Sequence, residues 1–174
     1  MSRLLRQTPD TFEDTPLEPE SSDGQPLRVG HLSAAEALFL RSFRGWSQGR
    51  ECWCEVWNEH ARRFGAADGR LLLHLFCHCH GAVREAALRP ILHHPPCCPY
   101  LAPDEARLTA MLSAVALQQP ATARFAAHPL LGAQGISTVE DAMTKLAGAY
   151  AARGVEVAGN SPLIAYAQEV AGTA

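Results

Sequence analysis

The sequence predicts an all-α fold, a compact bundle of six or seven short helices with an extended N-terminal arm. Three observations predict it. Apolar residues recur at helical spacing from Leu32 onward. Alanine is abundant, at 29 residues. Alternating β-branched runs are nearly absent, Val155-Glu156-Val157 being too short to count. At 174 residues the chain can bury a core without a covalent or metal staple. With 47% apolar and 19% charged residues, its composition is that of a globular protein.

Charge divides the chain in two. Residues 1–30 hold six acids (Asp10, Glu13, Asp14, Glu18, Glu20 and Asp23) against three arginines, together with four prolines. That excess equals the whole net charge of −3, so the remainder is balanced. Few apolar side chains sit there and none recur at a period. Residues 1–30 therefore read as an acidic, Pro-containing arm that lies on its own domain or on a neighbour, and 31–174 as a single helical domain.

Each helix has local signals. Ser33 and Glu36 form a capping box, the stripe Ala35, Phe39, Phe43, Trp46 follows, and Gly49 ends the first helix. The second carries Trp53, Val56, Trp57, His60 and Phe64 and stops at Gly65. The third is expected from about Asp68 to Arg89, ending before Pro90. Five prolines between 90 and 103 make the next stretch a stiff strap that is not helical throughout. Pro103, Asp104 and Glu105 open the fourth helix, and the helix dipole alone accounts for that carboxylate pair. Pro120 starts a short helix closed by His128-Pro129. Ser137 and Glu140 form a second capping box that opens a helix with Met143, Leu146 and Tyr150. Ser161-Pro162 begins a last helix to about Val170.

Several functions are excluded or disfavoured. No run of eighteen apolar residues exists, so no membrane span is expected, and the first ten residues lack the apolar stretch of a secretory signal. A pI of about 6.2 argues against nucleic acid as a partner. There is no Gly-x-Ser-x-Gly, phosphate loop, His-Glu-x-x-His or EF-hand loop, so the chain leans away from being an enzyme and no catalytic residue is assigned. Trp46, Trp53 and Trp57 read first as core and second as a partner surface. Arg41, Arg44, Arg50, Arg62, Arg63 and Arg70 read as the solvated side of the first helices. His60, on an apolar stripe, reads as a hydrogen-bonded core histidine.

One chemical anomaly stands out. Nine of the fourteen His and Cys residues lie in 74–98, where even placement would put about two. With no export signal the chain is expected in the cytoplasm with its thiols reduced, and reduced thiols beside imidazoles suit a zinc-type ion. On a helical wheel Cys79 sits in the core stripe, whereas His74, Cys77 and His78 are neighbours on another face. His94, Cys97 and Cys98 on the strap supply the second half, Cys97 and Cys98 contributing at most one ligand between them. The reach is feasible: position 78 lies about 17 Å from the helix end, and residues 90–97 span up to roughly 26 Å. The bland alternative makes Cys79 a small core hydrophobe and leaves His74 and His78 in solvent.

Three functions follow. The first is a cytosolic binding protein in which an ion held by His74, Cys77, His78, His94, Cys97 and Cys98 fixes the strap for a protein partner. The second is a metal-free helical interaction module, self-associating through aromatic and Ala-rich faces. The third is a redox or haem sensor built on a low-pKa Cys near His93 or His94, with Cys98-Pro99 as a haem-sensing dipeptide.

Overall fold

The computed structural model describes residues 19–20, 24–157 and 161–172. Most of the expected arm, 1–18 and 21–23, lies outside the described residues. The described chain is all-α. A 3-10 turn at Val29–His31 leads into α1 (Ala34–Ser47), α2 (Arg50–Ala86), α3 (Pro103–Ala116), α4 (Pro120–Ala127), α5 (Ala133–Ala151) and α6 (Pro162–Gly172).

α1 starts at the expected capping box. The Glu36 N–H donates to Ser33 Oγ at 3.4 Å, and the Ser33 N–H donates to Glu36 Oε2 at 2.7 Å. Glu36 does more than cap. It is fully buried, and its Oε1 accepts from Ser113 Oγ on α3 at 2.6 Å and from Ser161 Oγ just before α6. A carboxylate that accepts three hydrogen bonds is tolerable in a core, and this one joins three helices.

The second and third expected helices are the two arms of α2, 50–64 and 66–86. Gly65 alone leaves helical geometry, at φ 80° and ψ 168°, a region open to glycine and strained for other residues. The arms fold tightly against each other: a Cβ on Gly69 would stand 2.8 Å from the His60 carbonyl carbon. The second arm begins at 66 rather than 68. It ends at Ala86 rather than Arg89, because Ala87 turns extended and the Leu88 N–H donates to Leu130 O at 2.9 Å. The core stripe is as expected, with Leu72, Phe76, Cys79 and Val83 all buried.

α5 departs from expectation. It begins at Ala133, four residues before Ser137, and Ser137 is an exposed residue inside the helix. Tertiary contact overrides the local signal here. The Gly132 N–H donates to Ala86 O at 2.9 Å, and Gly135 lies so close to α2 that a Cβ would be 2.3 Å from Ala86 Cβ.

α3 is the centre of the bundle, packed against α1, α4, α5 and α6. Almost every residue from Asp104 to Ala114 is buried: Ala, Leu and Met fill most of the stretch, and Asp104, Glu105 and Ser113 are hydrogen-bonded within it. The described end of the arm belongs to this body. Leu27 is buried, the Val29 N–H donates to Pro99 O at 2.8 Å, and the Leu101 N–H donates to Leu27 O at 3.1 Å. Arg28 caps that pairing, its guanidinium 4.8 Å from the Tyr100 ring centroid.

Candidate functional site: a groove under the proline strap

The strap, residues 87–102, is clasped from below by the first turn of α3. Asp104 accepts both guanidinium nitrogens of Arg89, at 2.6 and 2.9 Å, and the Leu92 N–H at 2.8 Å. Glu105 is buried and pairs with the buried Arg44 of α1, Nε to Oε1 and Nη2 to Oε2, both at 2.7 Å. The same carboxylate accepts the His94 N–H at 3.1 Å and the Ala102 N–H at 2.8 Å. Arg44 spends its other protons on strap carbonyls, Cys98 O at 2.6 Å and Tyr100 O at 2.5 Å. Glu105 thus accepts four hydrogen bonds and Arg44 donates four, the kind of pairing that burial of two charges requires. Two expectations are corrected. Asp104 and Glu105 do not merely suit a helix dipole, and Arg44 is no solvated surface residue.

So held, the strap roofs one side of a groove of about 870 Å³. α1 contributes Phe43, Trp46 and Ser47, and the first arm of α2 adds Trp53. The floor is the second arm of α2, through Cys77, His80, Gly81 and Arg84. The strap supplies Arg89, Pro90, Ile91 and His93. Trp46 and Trp53 stack, with centroids 4.4 Å apart and planes at 6°, and Trp53 Nε1 donates to Trp46 O at 3.1 Å. Phe43 stands between two imidazoles, 5.2 Å from the His80 ring and 6.2 Å from that of His93. His80 Nε2 approaches Ser47 Oγ at 3.4 Å. Burial lowers the His80 pKa, and the neighbouring Arg84 and His93 lower it further. Burial raises the Cys77 thiol, and pushes that of Cys79 up to about 12.

The helix and the strap therefore do meet, and of the six residues named from sequence Cys77 alone lines the groove where they do so. His74 and His78 are exposed. Cys77 is half-buried in the groove. His94 is half-buried, and its Nε2 is enclosed without a hydrogen-bond partner among the described residues. Cys97 is exposed, and Cys98 is half-buried and gives its carbonyl to Arg44. Among the described residues no group of three or more His, Cys, Asp or Glu side chains is placed to hold a metal ion. Sequence reasoning missed Arg44, Arg84, Arg89, Asp104 and Glu105, along with the pairing of His80 and His93 around Phe43. One signal for the floor was there: 77, 80, 81 and 84 share a helical face beside the core stripe. His60 is as expected, fully buried with Nδ1 2.9 Å from Val56 O. A carbonyl only accepts, so Nδ1 carries the proton.

No protein-family model, no curated protein and no solved structure matches this chain, so the groove and its clasp are the features from which function is read.

Proposed function

We propose that this protein is a binding module and that the groove between α1, α2 and the strap is its binding site. One observation carries the reading: a concavity of about 870 Å³ walled by Phe43, Trp46 and Trp53, with imidazoles and an arginine converging on it. Ligand sites are concave, mostly apolar, of roughly 300–1,000 Å³, and carry a few convergent polar groups.

This is the interaction-module reading moved to a definite surface. The zinc reading assigned the ion one task, fixing the strap, and the Arg44–Glu105 and Arg89–Asp104 pairs already perform it. The sensor reading needs a thiolate, and burial moves Cys77 and Cys79 away from one. Self-association through Ala-rich faces has little support, because Ala106, Ala110, Ala114, Ala123 and Ala126 are core. Among the described residues no helix is long and apolar enough to cross a membrane.

The test is uptake of the neutral dye Nile red, followed by energy transfer from the tryptophans. Gly81→Phe should abolish it. A Cβ there meets nothing within 4 Å, so the substitution starts without a clash at the backbone and adds its bulk at the groove floor. Undiminished uptake by a folded Gly81→Phe chain rejects the groove as the site.

A further inference from the structure

The groove walls are sorted by charge as well as by polarity. Two arginines and two histidines line the groove, and no aspartate or glutamate does. Residues 31–174 are charge-balanced, so a lining with arginines and no carboxylate is not a reflection of composition. The two arginines differ. Arg89 is bidentate to Asp104 and is already neutralised. Arg84 is exposed and pairs with no carboxylate among the described residues; its resolved electrostatic neighbour is the imidazole of His80. With Arg89 answered by Asp104 and the His80 ring pushed towards its neutral form by burial, Arg84 is the cation at this aromatic trough that no carboxylate of the described chain answers.

The floor beneath them carries a second anomaly. Gly81 lies in the interior of α2's second arm, where glycine is the least favourable residue after proline. Unlike Gly69 or Gly135, it touches nothing that forces the choice, since a Cβ would meet no atom within 4 Å. Bare backbone at a groove floor suits close approach by something that is not part of the fold.

Resting on the groove as a binding site, we propose that its occupant is a small amphipathic carboxylate. Its aryl or alkyl body lies on Gly81 against Phe43, Trp46 and Ile91, and its carboxylate is beside Arg84. Charge complementarity selects the head, and the aromatic wall selects the body. Guanidinium suits a carboxylate because its N–H groups match the two oxygens. An extended acidic peptide is disfavoured, because the described residues around the groove offer no strand edge on which its backbone could pair.

The experiment compares two probes with one body: dansyl-undecanoate and its uncharged methyl ester, titrated at neutral pH into the full chain and read by dansyl emission. The acid should bind about tenfold more tightly than the ester, a ratio worth roughly 1.4 kcal/mol. Arg84→Met should bring the acid to the ester's affinity and leave the ester unchanged. Gly81→Phe should abolish both. Equal binding of acid and ester overturns the carboxylate assignment and leaves the groove reading standing. Failure of both probes overturns the two together. Acid binding that ignores both substitutions places the anion elsewhere and overturns the assignment. Tighter binding of a polyglutamate peptide than of the acid overturns it in favour of an acidic-peptide surface. Arg84 is exposed, so Arg84→Met should leave the urea midpoint of unfolding where it is in the parent, and a loss of anion preference is then not a loss of fold.

Discussion

Replacing Arg44 with methionine should be the most damaging single change at the clasp. Methionine keeps much of the side-chain volume but removes every proton that Arg44 donates. Glu105 would stay buried with only two N–H donors, those of His94 and Ala102. The carbonyls of Cys98 and Tyr100 would lose their charged partner. Breaking a buried ion pair from one side costs about 3–5 kcal/mol, because the remaining charge is left without compensation. For a chain of this length that is a fall in Tm of roughly 6–20 °C, at about 2–4 °C per kcal/mol. Urea unfolding followed by far-UV circular dichroism measures the loss. Amide exchange should localise it, with 94, 101 and 102 losing protection first. Glu105→Gln in the Arg44→Met background should recover part of the loss, because the stranded charge is gone. A loss under about 1 kcal/mol for Arg44→Met, or strict additivity of the two substitutions, would refute the account of the clasp.

Four further outcomes are expected. Gly81→Ala should stabilise the fold by about 0.5–1 kcal/mol, whereas Gly69→Ala should destabilise it, because the new methyl would press on the His60 backbone; thermal melts of the two variants give opposite signs. His60 and His80 both have pKa values lowered from 6.5, mainly by burial, so the unfolded chain binds their protons first. Their contribution to stability is therefore intact above about pH 6.5 and is lost as pH falls towards the folded values, by at most about 1.4 kcal/mol per histidine per pH unit; His80→Gln should flatten the acid limb of a pH series of urea midpoints. Protein purified without a histidine tag should carry less than about a tenth of an equivalent of zinc and keep its Tm in chelator, with His74→Ala and His78→Ala silent in both measurements. Cys97 should react with a maleimide in the native state, whereas Cys79, buried and pushed up to about 12, should react only on unfolding, as mass spectrometry of pulse-labelled chains would record.

What was legible in the sequence is what short-range physics determines. Ser33 with Glu36, the break at Gly65 and the stripe through Cys79 each depend on residues within a turn or two, and each is where it was expected. The start of α5 was misplaced because a good local cap at Ser137 lost to the docking of Gly132 and Gly135 on Ala86, nearly fifty residues away in the chain. The clasp was illegible for the same reason. Arg44 and Glu105 are 61 residues apart, and neither side chain announces burial, since both types usually sit in water. The richness of His and Cys in 74–98 drew attention to the right region and to Cys77, but not to His80 and Arg84 beside it. Composition reports which donors are present, whereas convergence depends on where the strap lands. It lands beside 77, 80 and 84 and leaves 74 and 78 outside.

Asp104 and Glu105 are consecutive residues on the first turn of the most enclosed helix in the bundle, so the two fasteners of the strap move as one. Any repacking that slides or rotates α3 must carry the roof with it, through side chains deep in the interior. A conservative swap such as Leu108→Met or Met111→Leu, both in the core and neither lining the groove, should therefore change how wide the cleft stands and how fast Nile red leaves it. Core volume becomes the dial for the aperture, and variation among interior residues is where selection for different guests would leave its trace.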